Sequence, residues 1–150
     1  MNMNELLRVT GRLNIVVTDE HGNVKHNQDV NNTVMTVGKA FIASRMTGTS
    51  DNVMSHMAIG SGTSNPTDPS QTTLGNELGR SALSVAGGTA AAAVVTYNAT
   101  FGAGVGTGAI TEAGIFNASS AGTMLCRVVF AVVNKGANDT MAITWTVTVS

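Results

Sequence analysis

The side chains able to do chemistry are few, and their spacing matches no catalytic template. Gly38-Lys39-Ala40 has the glycine-lysine step of a phosphate-binding loop. That loop needs a glycine five residues before Gly38, where Thr33 stands, and a hydroxyl after the lysine, where Ala40 stands. Gly102, Gly104, Gly106 and Gly108 alternate, but they lack the dinucleotide spacing and do not open a helix. They read as a mobile connecting loop. His21 and His26 flank one predicted turn, with Asp19, Glu20 and Asp29 as conceivable third metal ligands. Nothing in that spacing specifies a metal, and these histidines and His56 read as ordinary polar residues. Glu77 and Glu112 are the only carboxylates between Asp68 and Asp139, too sparse for an acid/base pair. Each is expected to pair with a nearby cation, for example Glu77 with Arg80. Cys126 is the single cysteine, which excludes an intrachain disulfide and a cysteine-based zinc site. Within Met124-Leu125-Cys126-Arg127-Val128 it reads as a buried, inert thiol, with Arg127 on the other face of a strand. No catalytic, metal or cofactor site is expected.

The elements that position these residues are mostly strands. Met141, Ile143, Trp145, Val147 and Val149 alternate with Ala142, Thr144, Thr146 and Thr148, the period of a strand with one face buried. Leu13–Thr18 and Val24–Val30 flank Asp19-Glu20-His21-Gly22-Asn23 and predict a hairpin. Met54–Ile59, Ser81–Ala86, Ala91–Phe101, Ile110–Asn117 and Thr123–Val133 complete the strand candidates. Val34, Val37 and Phe41 recur near a helical period, so one helix is predicted over 34–46. Asn32, Thr33 or Thr36 would cap its start, with Gly48 just past its end. Leu74–Arg80 reads as a helical turn. Gly60–Gln71 holds both prolines and reads as a surface loop. One domain is expected: an N-terminal arm at residues 1–8, then a mainly β domain at 9–150. Its expected form is a single antiparallel β-sandwich, jelly-roll-like, with one short helix.

Composition excludes several classes of function. Net charge is −1, and charged residues are only 11% of the chain, so no surplus of cations exists to neutralise nucleic-acid phosphates. No apolar stretch is longer than Ala90–Val95, which is far shorter than a membrane span. Four Asn-x-Ser/Thr triplets, at Asn31, Asn98, Asn117 and Asn138, follow from the composition. Gly, Ala, Ser and Thr make 66 of the 150 residues. A surface this poor in charge suits burial against other copies or other proteins.

Three stretches carry a family resemblance. The first is Met57-Ala58-Ile59-Gly60-Ser61-Gly62-Thr63, followed by Pro66, Leu74, Glu77 and Arg80. The second is Ile110-Thr111-Glu112-Ala113-Gly114-Ile115-Phe116, and the third is Met124-Leu125-Cys126-Arg127-Val128-Val129-Phe130. With the closing threonine-rich strand they resemble small structural proteins of tailed-bacteriophage virions. The resemblance covers about residues 34–149; the alanine run Ala90–Ala93 has no counterpart in it. It implies a non-enzymatic virion protein, most simply a capsid cement (decoration) protein. Such a protein binds across seams between major capsid proteins and stabilises the head. Its expected partners are the major capsid protein and further copies, as a dimer or trimer, with neither nucleic acid nor membrane. Its expected place is the capsid surface, after synthesis in the host cytoplasm. The alternatives are a tail component (tip, adaptor or fibre head) and a host-surface binding module; no shaft-like repeat favours a fibre.

The candidate interface lies in the arm. Met1, Met3, Leu6 and Leu7 place four large apolar side chains in a segment too short for a stable isolated helix. The arm either docks on a partner through Leu6 and Leu7 or covers one end of its own core.

Overall fold

The computed structural model describes residues 5–48 and 51–150, and period-two patterning produces nine antiparallel strands among them. These are β1 (Val9–Thr18), β2 (Val24–Val34), β3 (His56–Gly60), β4 (Glu77–Ala82), β5 (Thr89–Ala91), β6 (Val94–Phe101), β7 (Gly108–Phe116), β8 (Met124–Lys135) and β9 (Thr140–Val149). The helix α1 (Thr36–Met46) follows β2. The strands form one sheet in the order β4-β3-β7-β8-β2-β1-β9-β6-β5. It curls until its two ends approach: Leu83, just after β4, bridges Ala99 of β6, and the Ser84 N–H donates to the Asn98 carbonyl at 2.8 Å. β2 joins the two halves. It pairs with β1 from Val24 to Asn32, but with β8 only through Thr33–Arg127 and Val34–Cys126.

Inside the curl lies the main core. β1 contributes Leu13, Ile15 and Val17, and β9 contributes Met141, Ile143, Trp145 and Val147, as their alternation requires. Phe101, Ile110, Ile115, Cys126 and Val128 complete it from the facing strands. A second, smaller core lies under α1 and the loop 61–76: Met35, Ala58, Leu74, Phe116 and Met124. β7 and the first half of β8 are therefore covered on both faces, and Met124–Val128 are all buried. Continuous burial of this kind belongs to strands packed on two sides.

The mainly β, antiparallel reading with one helix agrees with this architecture. Several local expectations do not. The segment Leu74–Arg80 is not a helical turn: Glu77–Ala82 is an edge strand paired with β3, because its side chains gain cross-strand partners that a lone turn lacks. Ser81–Ala86 is not a separate strand, since pairing with β3 ends at Ala82. The predicted Ala91–Phe101 strand starts only at Val94, because the three-residue β5 ends at Ala91 and a tight turn follows it. None of Asn32, Thr33 or Thr36 caps α1. Its N-cap is Met35, with no side-chain bond, and the loose backbone donors are met by tertiary carbonyls instead. Met35 N–H donates to Leu125 O at 3.0 Å and Thr36 N–H to Pro69 O at 2.8 Å. Gly38 is the one buried helical residue, because the helix lies so close on Leu125 that a Cβ there would strike its backbone. Close packing thus explains the glycine of Gly38-Lys39. At the other end Gly48 adopts φ +69, the left-handed geometry expected just past a helix.

Candidate functional site

The motif residues converge on one buried carboxylate. Glu112 points outward from β7, on the face away from the main core, and is fully buried there. The loop 61–76 crosses that face and aims three backbone N–H groups at it: Gly62 at 2.8 Å, Gly75 at 2.9 Å and Asn76 at 2.7 Å. Arg127, on β8 opposite Gly114, adds its guanidinium at 3.0 Å. The same guanidinium donates to the carbonyls of Ser64 and Asn65, at 3.1 and 3.2 Å. Thr111 Oγ donates to Gly62 O at 3.0 Å. A Cβ at Gly60 or Gly62 would collide with the Glu112 carboxylate, so these glycines let the backbone close on it. Burial pushes the Glu112 pKa up, but the three N–H donors and Arg127 outweigh it and hold the carboxyl below its usual range.

Beside this staple, the Leu-x-x-Glu-x-x-Arg residues also have structural partners. Leu74 fills the second core. Glu77 pairs with Arg80 at 2.6 Å, as expected from their spacing. Arg80 lies 4.0 Å from the centre of the Phe116 ring and donates to the carbonyls of Ala118 and Ala121, both at 2.9 Å. Glu112 and Arg127 thus act together as a clamp: they fix a proline-containing loop whose outer residues face solvent. The clamp has no free acid, base or nucleophile, since every oxygen of Glu112 is already accepting.

The remaining candidates are spread apart. His26 lies opposite Val17 and bonds Gln28; His21 lies in the turn near Glu20; His56 contacts Ser55. The two hairpin histidines do not face each other. Among the described residues no group of three or more potential ligands could hold a metal ion. Burial pushes the Cys126 thiol up to about 12, so it stays protonated and inert. Lys135 is buried at the opposite end, donating to Gly102 O at 2.8 Å, and the Gly104 N–H donates to Ala137 O at 2.9 Å. The alternate-glycine connection is therefore tied at two points.

Sequence reasoning did not pair Glu112 with Arg127, and it left Arg127 without a partner. The signal was present: one acidic and one basic residue each interrupt an otherwise apolar strand. Such charges are tolerated inside only when they meet.

The arm is the other site. Arg8 and Ser150 exchange backbone hydrogen bonds, at 2.6 and 2.8 Å, extending the β1–β9 ladder by one rung. Beyond it Leu6 is 70% and Leu7 74% exposed, so neither covers the subunit's own core. Met1 and Met3 lie outside the described residues. No protein-family model, curated protein or solved structure matches the chain. Among the described residues no helix is long and apolar enough to cross a membrane.

Proposed function

We propose that this is a non-enzymatic structural protein of a tailed-bacteriophage virion, a capsid cement (decoration) protein. One observation carries the reading. The residues of the resemblance (Gly60, Gly62, Leu74, Glu77, Arg80, Glu112, Arg127) are spent on architecture, and their joint product is a rigidly held surface loop. A protein whose most distinctive residues build a fixed surface is suited to binding by shape. In this reading the two halves of the curled sheet face each other as a jelly-roll-like sandwich. Copies bind across seams between major capsid proteins on the capsid surface, after synthesis in the host cytoplasm, and associate as a dimer or trimer. Apolar burial at about 25 cal/mol per Å², repeated over many sites, makes weak single contacts strong across a shell.

Quantitative mass spectrometry of purified virions tests this. Hundreds of copies per particle are expected. A handful to a few dozen copies would instead make it a tail component, and absence from particles would end the virion reading. The hydroxyl- and amide-rich outer face of β1, β9 and β6 favours a second reading, a host-surface binding module, which glycan-array binding by the isolated protein would reveal.

A further inference from the structure

We propose that the groove between the second half of α1 and the Gly87-Gly88 turn docks a segment of the partner protein in which a large aliphatic side chain is followed by a carboxylate. This rests on the cement reading above and names the chemistry of the partner's anchor.

The groove has a volume of about 320 Å³, at the small end of ligand sites, so it holds one or two side chains. Its walls are apolar. α1 supplies Phe41 and Ile42, the segment before β3 supplies Val53 and Met54, and the β5–β6 hairpin supplies Ala90 and Val95. Gly87 and Gly88 hold left-handed φ of +82 and +72, and a Cβ on Gly88 would strike the Tyr97 ring, so the turn closes directly on it.

Two polar groups interrupt these walls, and both want an acceptor. Tyr97 is only 7% exposed, and its hydroxyl has no hydrogen-bond partner among the described residues. It is not sealed in, because the one fully occluded side-chain polar atom without a partner there is Asn32 Nδ2. Burial pushes the phenol up to about 12, so it keeps its proton and can donate. Arg45 lines the groove as well. Its guanidinium lies 5.8 Å from the centre of the Phe41 ring and donates to the backbone carbonyl of Asp51 at 2.7 Å. It pairs with no carboxylate among the described residues. A phenol donor and an unpaired guanidinium set in apolar walls match an aliphatic side chain with a carboxylate beside it.

The surroundings point to a protein rather than a small molecule. Met46, next to Arg45, and Val85, two residues before Gly87, are exposed large apolar residues in the segments that build the groove. All four alanines of Ala90–Ala93, the run that the family resemblance leaves unexplained, are exposed on the hairpin. A small ligand would leave this apolar collar in water, whereas a partner surface would cover it.

The test uses the isotope-labelled full-length chain and two-dimensional amide NMR, with the peptide acetyl-Ala-Leu-Glu-Ala-amide as the probe. The amides of Gly87, Gly88 and Ala90 should shift saturably, with a Kd of about 1 mM, as a site for one side chain allows. A glutamine in place of the probe's glutamate, or a serine in place of its leucine, should weaken binding about threefold or more. Tyr97→Phe keeps the ring and removes the unmet hydroxyl, and Arg45→Gln removes the charge. Both variants should keep the melting midpoint and bind the probe about threefold to tenfold more weakly. Absence of a saturable shift by about 10 mM, equal binding of either altered peptide, or full-strength binding by either variant would overturn the proposal. So would groove amides whose shifts follow protein concentration alone, since a second copy would then be the occupant. None of these results touches the virion copy number, which tests the cement reading separately.

Discussion

The outer face of β3, β7 and β8 is covered by the loop 61–76 and the start of α1. The outer face of β1, β9 and β6 carries Thr10, Arg12, Thr144, Thr146, Asn98 and Thr100, with no element of the described chain over it. The two faces belong to one curled sheet, yet they solve the polar-group problem in opposite ways. On the covered face, a carboxylate and a guanidinium are buried, and the loop exists to satisfy them. On the bare face, neutral hydroxyls and amides are left to water, with the exposed Arg12–Asp29 pair at 3.1 Å among the few charges. Buried charge therefore acts here as a positioning device, because it is stable only while the loop keeps its donors in place.

The sharpest way to break this contrast is Arg127→Ala. It leaves Glu112 buried without its counter-charge and frees the carbonyls of Ser64 and Asn65. Removing one member of a buried pair costs about 3–5 kcal/mol. Urea denaturation should show that loss, together with faster proteolysis of the loop 61–76. A loss under about 1 kcal/mol would mean that the loop is held by other contacts.

Acid should act on the same carboxylate. The folded pKa of Glu112 is depressed, so its stabilisation is fully present above the ordinary carboxylate range. It is lost as pH falls through that range towards the lower folded value. Asp68 and Asp139 are also depressed, Asp68 first by its bond from Ser70 and Asp139 first by its bond from Lys25, and they slope the same way. Comparison with Glu112→Gln isolates the buried group: the variant should be less stable at neutral pH and show a shallower decline in acid. Identical acid limbs in the two proteins would remove Glu112 from the account.

The contrast also explains what could be read from the chain. β9 and β1 were legible because one face meets the core and the other meets water, which writes a period of two into the sequence. β7 and β8 were found as strands, with Arg127 on the face opposite Cys126, but burial on both faces erased that period and hid the pairing of Arg127 with Glu112. β4 was misread because Leu74, Glu77 and Arg80 fall at helical spacing, while their partners, the second core, Phe116 and the carbonyls after it, are distant in sequence. The start of α1 was misassigned for a similar reason: its capping groups are the carbonyls of Leu125 and Pro69, which no local rule can supply. The glycines of the motif were visible from the start. That they make room for a carboxylate fifty residues away required the fold.

A smaller effect is expected within the main core. Trp145 is fully buried, and its Nε1–H donates to Asn32 Oδ1 at 2.7 Å. Asn32 Nδ2 is buried without a partner, so this amide already has one polar atom unmet. Trp145→Phe removes the indole donor and part of the ring, leaving both polar atoms of the amide unsatisfied. The expected loss is about 1–3 kcal/mol. The double variant Asn32→Val/Trp145→Phe should recover part of it, because replacing both partners by apolar groups removes the unpaired amide. Failure to recover any stability would place the cost in packing alone.

The smallest effect is expected on the bare face, at Thr144. It is exposed, it lies between Asn14 of β1 and Asn98 of β6 in the ladder, and its hydroxyl makes no hydrogen bond among the described residues. Thr144→Val keeps the branched shape that suits a strand and removes only a group that water already satisfies. Thermal melting should place the change within about ±0.5 kcal/mol. A loss above about 1 kcal/mol in the isolated subunit would mean that the hydroxyl has a partner within the fold, and the comparison of faces would then fail. On the proposed cement reading, a subunit that melts normally but no longer joins particles would place Thr144 in the contact with the shell. The two readouts separate a hydroxyl that stabilises the sheet from one that serves what the sheet binds.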